Sequence, residues 1–156
     1  VTMAIDLWLL RHGEAEPHGA RPDPERELTE RGREQSRRAG AALRALDIAF
    51  EAVYASPKVR AWDTAVLACE SLGVEPIEHG PLAAGPDRGE ALALASGGRV
   101  LLVGHDPYFS QLVHDMTGAR VRLQKGAVCG IRVASPGELA VLLRPADLAA
   151  IARADA

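Results

Sequence analysis

The sequence predicts an α/β domain, a three-layer αβα sandwich built around a mainly parallel central sheet. Two observations carry this expectation. Short apolar runs alternate with longer helix-like runs along the chain. Two of those runs, Ile5 to Leu10 and Arg99 to Val103, are almost continuously apolar, the pattern of parallel strands covered on both faces. No internal repeat or low-complexity linker divides the 156 residues, so residues 1–156 are read as a single domain.

The elements follow in order. Ile5-Asp6-Leu7-Trp8-Leu9-Leu10 reads as the first strand, ending in Arg11-His12-Gly13, where the glycine is read as allowing a sharp turn beside an anion. A polar loop, Glu16 to Glu27, holds Pro17, Gly19, Pro22 and Pro24. Thr29 is a suitable N-cap for a helix to about Leu46, with Ala39, Ala42, Leu43 and Leu46 on one face. Its arginines, Arg31, Arg33, Arg37, Arg38 and Arg44, are read as a solvated face, the alternative being a docking surface. A short strand, Ala52 to Ala55, leads through Ser56 into a helix from Pro57 to about Ser71, stopped by Gly73. A third strand falls near Pro76-Ile77-Glu78, followed by a Gly/Pro-rich loop and a brief helix, Arg88 to Ala95. The apolar run from Arg99 ends in Gly104-His105-Asp106-Pro107, and a helix from Pro107 to about Met116 follows. Val128 to Val133 and Glu138 to Leu143 form a hairpin around Ser135-Pro136-Gly137, and Pro145 opens a terminal helix.

Composition removes several function classes. A net charge of -3 and a pI near 6.0 give no global electrostatic case for binding nucleic acid or an anionic membrane. Any phosphate binding must be local. Cys69 and Cys129 lie far apart in apolar segments, so they are read as buried free thiols in a reducing, cytoplasmic setting. No 18-residue apolar run and no basic-then-apolar leader is present, so neither a membrane span nor a signal peptide is expected. His12, His105 and Asp106 lack the further ordered carboxylate and histidine ligands of a metallophosphatase, so no metal and no cofactor is expected. No glycine loop of the nucleotide-binding type is present either.

Open α/β sheets bind ligands beyond the carboxyl ends of their strands. Three strand ends here deliver Arg11 and His12, Ser56 leading to Arg60, and His105 to that edge. A guanidinium offers a planar fork of donors to phosphoryl oxygens, and a neutral imidazole can attack phosphorus. Arg60, one turn inside its helix, can reach back toward the helix N-terminus, which itself favours anions.

In these residues the chain resembles the histidine phosphatase superfamily, the phosphoglycerate mutase-like group, in its short bacterial phosphohistidine phosphatase branch. The resemblance rests on Arg11-His12-Gly13-Glu14-Ala15, Leu28-Thr29 with Gly32, Ser56-Pro57, Arg60-Ala61, Thr64-Ala65, Val103-Gly104-His105 with Pro107, and Lys125-Gly126-Ala127. These occur in the family's order and span most of the chain from Leu7 to Val133. The resemblance implies a phosphoglycerate mutase-like fold, His12 as nucleophile, a phosphate pocket of Arg11, His12, Arg60 and His105, and no need for a metal.

The departures bear on substrate. Family members acting on ordinary phosphate esters carry an acid two positions after a leucine beyond the third strand; here Pro81-Leu82-Ala83-Ala84 places Ala84 there. An alkoxide needs a proton to leave. A protonated histidine ring leaves as neutral imidazole, whose conjugate acid has a pKa of about 6.5. The expected substrate is therefore phosphohistidine on a protein, such as a histidine phosphotransfer domain. Two alternatives stand: a small-molecule phosphomonoesterase of the same superfamily, and a non-catalytic module that binds a phosphorylated ligand. Asp87, Glu90 and Asp106 are each read two ways, as a substitute acid or as structural groups, Asp87 and Asp106 as helix caps. His18 is placed at the pocket mouth, Arg21 and Arg26 as solvated loop arginines, the alternative being contact with an acidic or phosphorylated partner, His79 and His114 as surface or packing residues, and Trp8 and Trp62 as packing.

Overall fold

A computed structural model describes residues 6–156, so Ile5, the expected start of the first strand, lies outside the described residues. Six strands form one sheet: β1 (Leu7–Arg11), β2 (Ala52–Ala55), β3 (Pro76–Glu78), β4 (Val100–Gly104), β5 (Val128–Arg132) and β6 (Glu138–Leu143). Five helices accompany them: α1 (Glu30–Ala45), α2 (Val59–Leu72), α3 (Arg88–Ala95), α4 (Tyr108–Thr117) and α5 (Pro145–Asp155). The strand order is β3-β2-β4-β1-β5-β6. Neighbours from β3 to β1 pair in parallel, whereas β5 runs antiparallel to both β1 and β6. The sheet is thus mixed but mainly parallel.

The period of two along the central strands creates the layers. Trp8 and Leu10 of β1, with Leu101 and Val103 of β4, pack with Ala39, Leu43, Ala65, Ala68 and Leu148 of α1, α2 and α5. Leu7 and Leu9, with Val100 and Leu102, pack with Ala91, Phe109, Leu112 and Val113 of α3 and α4 on the other face. Because α1 and α4 leave the adjacent strands β1 and β4 toward opposite faces, the carboxyl ends of these strands open a crevice between them. That crevice positions the site.

Local chemistry accounts for most element ends. Thr29 caps α1 by accepting the amide of Gly32 at 3.1 Å, and Gly73 ends α2 in the left-handed conformation at φ 71°. Two helices begin later than the sequence suggests. Lys58 is the N-cap of α2 and Pro107 that of α4, so each proline precedes the helix it was expected to open. Leu46 is also displaced from its expected role: it is the C-cap residue of α1 and exposed. Arg31, Arg37, Arg38 and Arg44 of α1 do face solvent, with Arg37 and Arg38 paired to Glu34, while Arg33 is half-buried.

Gly13 corrects a reason rather than a position. Its φ is not positive; a Cβ there would stand 2.5 Å from the Gly32 carbonyl oxygen. The glycine is required because the end of β1 and the first turn of α1 touch backbone to backbone.

Candidate active site

The edge of the sheet brings Arg11, His12, Arg60 and His105 into one pocket of about 190 Å³, lined also by Ala15, Glu16, Pro17, His18, Arg26, Asp106 and Lys125. The four side chains arrive from three element ends. Arg11 is the last residue of β1 and His12 follows it; Arg60 stands in the first turn of α2, and His105 follows β4. The amide of His12 donates to the Gly104 carbonyl at 3.0 Å and that of Ser56 to the Val103 carbonyl at 3.0 Å, so the sheet ladder itself fixes the three ends against one another.

His12 and His105 are buried, and their ring centroids are 5.3 Å apart. His12 Nδ1 lies 2.7 Å from its neighbour's carbonyl, Gly13 O. A carbonyl only accepts, so the ring proton sits on Nδ1 and Nε2 carries the lone pair. The amide of Gly13 donates to Thr64 Oγ1, which also accepts from Ser36 and donates to the Arg60 carbonyl. This buried network ties the turn after β1 to α1 and α2.

His105 Nε2 lies 2.8 Å from Ser56 Oγ, which in turn accepts the Lys58 amide at 3.2 Å. The serine hydroxyl thus bridges the Lys58 amide and Nε2 of His105, whose Nδ1 is a buried atom with no protein partner. Arg11 donates from Nη1 to the Leu123 carbonyl at 2.7 Å. The Nε atoms of Arg11 and Arg60 are buried without protein partners as well. Three buried nitrogens on the pocket residues thus have no protein partner.

Burial is the first cause of the electrostatics here. It pushes His12 and His105 down to about 3, reinforced for His12 by His105, Arg60 and Arg11 and for His105 by Arg60 and Lys58. Both rings are neutral near pH 7. Arg11 and Arg60 are lowered by burial too, against the opposing pull of Asp106 and Asp23 respectively.

His18 lines the pocket as expected, and Arg21 is an exposed loop arginine paired with Glu16 and Glu27. Arg26 is not solvated: it is 7% exposed and lines the pocket. Its burial follows from partners that the loop supplies. Nε and Nη2 donate to Asp23 Oδ1, and Nη1 donates to the Glu16 carbonyl. Asp23, which sequence reasoning passed over, also receives Lys58 and Arg60. Its spacing of three from Arg26 was the available signal, but the approach to Arg60 depends on how the loop folds. The pairing of Ser56 with His105 was equally unreadable, since the two are 49 residues apart.

The weighed carboxylates separate clearly. Asp87 caps α3 by accepting the Glu90 amide, and neither residue lines the pocket. Asp106 does line it, while its two oxygens accept from the amide and hydroxyl of Ser110 in α4. Glu16 is held below the usual carboxylate range by the Glu27 amide and by Arg21. Ala84 is exposed and off the pocket. His79 packs against Tyr54, His114 is exposed on α4, Trp8 is in the core and Trp62 packs against it. Cys69 and Cys129 are free and buried, and burial pushes their thiols up to about 11 and about 12. Among the described residues, no group of three His, Cys, Asp or Glu is arranged to hold a metal ion, and no helix is long and apolar enough to cross a membrane.

Fold and pocket together define a class: an α/β protein with two histidines and two arginines facing one pocket at the carboxyl edge of its sheet. The model of the histidine phosphatase superfamily (branch 1) matches residues 7–83. An uncharacterized protein of Picosynechococcus is 30% identical over 140 residues, 82% of this chain and 85% of that one. The chain belongs to the histidine phosphatase superfamily. Its fold is similar to that of the protein histidine phosphatase SixA complexed with tungstate (TM-score 0.80, 24% identity, 91% of this chain and 98% of that one). It is also similar to a putative phosphohistidine phosphatase SixA of Agrobacterium tumefaciens (0.75, 18%, 89% and 97%). A putative alpha-ribazole-5'-P phosphatase of Escherichia coli shares the fold as well (0.70, 21%, 92% and 99%).

Proposed function

We propose that this protein is a metal-independent phosphatase that removes phosphate from phosphohistidine on a protein, through a covalent phosphohistidine on His12. The observation that carries the reading is the lack of a poised acid among the described residues of the pocket. Its two carboxylates, Glu16 and Asp106, are already engaged as acceptors, and Ala84 lies outside it. A leaving group that needs no carboxylic acid fits such a site.

His12 Nε2 attacks phosphorus in line as the substrate's N–P bond breaks, and the protonated substrate ring departs as neutral imidazole. Arg11 and Arg60 hold the phosphoryl oxygens while charge redistributes, and His105 donates from Nδ1 to another oxygen. Water then attacks phosphorus, the bond to Nε2 breaks with its electron pair returning to the ring, and the water's protons stay with phosphate or solvent. The pocket of about 190 Å³ is smaller than the ~300–1,000 Å³ of sites that engulf a metabolite, which supports capture of the phosphoryl group alone, with the bulk of the substrate outside. Residues 1–156 act in this reading as one catalytic domain, and the two buried thiols suit the reducing cytoplasm.

The deciding experiment compares turnover of a phosphohistidine-bearing phosphotransfer protein with that of a panel of phosphorylated metabolites. Phosphohistidine is expected to be preferred by at least tenfold in kcat/KM. Equal or better turnover of a phosphate ester would assign the chain to the small-molecule phosphatases, whose fold it also shares.

A further inference from the structure

The loop between β1 and α1 is closed at its neck. The amide of Glu16 donates to the Glu27 carbonyl at 2.8 Å, that of Thr29 donates to the Glu14 carbonyl at 3.0 Å, and Ala15 bridges Leu28. Arg21 pairs with Glu16 and Glu27 across that neck. The loop brings Asp23, in a single 3-10 turn (Asp23–Glu25), against the pocket arginine Arg60.

Asp23 meets three cations at once. Its main-chain oxygen accepts Arg60 Nη1 at 2.8 Å, and Oδ2 accepts Lys58 Nζ at 3.1 Å and Arg60 Nη2 at 3.4 Å. Oδ1 accepts Arg26 Nε at 3.1 Å and Nη2 at 3.0 Å. A guanidinium has five N–H donors in a rigid plane, so these contacts set the planes of two buried arginines, both of which line the pocket. Each keeps donors that Asp23 does not take, the buried Nε of Arg60 among them.

We propose that Asp23 is a positioning residue of the phosphoryl pocket, seating Arg60 and turning Arg26 into a third guanidinium on the phosphoryl group. This rests on the pocket being a phosphoryl site, as argued above. The same loop supplies both Arg26 and the carboxylate that orients it. A third guanidinium adds charge-assisted donors for the phosphoryl oxygens. Lys58, the N-cap residue of α2, is the third cation on Asp23.

The alternative role for Asp23 is plain charge compensation, and the two roles differ in sign. If it only neutralises cations, Asp23→Asn makes the pocket more positive and inorganic phosphate binds more tightly. If it positions them, phosphate binds more weakly, by about tenfold for the loss of charge-assisted hydrogen bonds. Calorimetric titration of inorganic phosphate into wild type, Asp23→Asn, Arg26→Gln and the double variant tests this directly. Arg26→Gln is expected to weaken binding about tenfold, and the effect of Asp23→Asn is expected to shrink on that background, because one of its two arginines is then gone. Arg26→Lys, which keeps the charge but loses the fork, is expected to weaken phosphate at least fivefold and provides the test if Asp23→Asn does not fold. Unchanged or tighter phosphate binding by Asp23→Asn, or by Arg26→Lys where it alone is measurable, would overturn the proposal. Failure of wild type to bind phosphate at all would instead overturn the phosphoryl-pocket reading.

Discussion

At the residue scale, the nucleophile proposed for this protein is prepared by what its other nitrogen does. Gly13 O holds the proton of His12 on Nδ1, and burial keeps the ring neutral to about 3, so Nε2 is available throughout the neutral range. His12→Ala is expected to lower turnover by about 10³-fold or more while leaving the circular dichroism spectrum unchanged. Wild type incubated with a radiolabelled phosphohistidine substrate should yield an acid-labile, base-stable phosphoenzyme that the variant does not form. Ser56→Ala tests the second histidine. With the hydroxyl gone, Nε2 of His105 loses its partner and the ring is no longer held in one orientation. The expected result is a roughly tenfold fall in kcat and a loss of about 1–3 kcal/mol of stability from the unsatisfied buried nitrogen, read by steady-state kinetics and urea unfolding. Much of this scale was visible in the sequence, because Arg11, His12 and His105 follow directly from strand ends. Arg26 was not, since its burial depends on Asp23 and Glu16 O closing around it.

At the scale of elements, the contact between the end of β1 and the start of α1 sets where His12 stands. Gly13 and Gly32 meet backbone to backbone, and Thr29 caps the helix that carries Gly32. Thr29→Ala is expected to destabilise the protein by about 1 kcal/mol, the ordinary value of an N-cap, with activity largely kept. Gly32→Ala is expected to be far more damaging. Its Cβ would run into the backbone of Glu14, so either α1 or the turn after His12 must move, and thermal melting and turnover should both collapse. Strand and helix positions were readable from periodicity and from turn residues. The starts of α2 and α4 were not, because Lys58 and Pro107 take the cap positions through geometry that a proline in the sequence does not specify.

At the scale of the whole molecule, two buried neutral histidines make folding depend on pH. In the unfolded chain each takes up a proton near about 6.5, whereas in the folded protein neither does so until about 3. The unfolded state therefore binds more protons between these values, and stability falls as pH falls through that window. Urea midpoints measured from pH 7.5 to pH 4.5 should decrease steadily, and the slope should flatten in a His12→Asn, His105→Asn double variant. An equal slope in that variant would assign the acid sensitivity to other groups. The sequence by itself determined the α/β class, the three strand ends and the residue types at them, because apolar periodicity and turn chemistry are local and repeat along the chain. Only the tertiary structure decided which nitrogen of each histidine is free, which carboxylates are already engaged, and that Asp23 draws Arg26 and Arg60 together. Those contacts join residues as much as 49 positions apart, and they exist only once the sheet has placed its strand ends side by side.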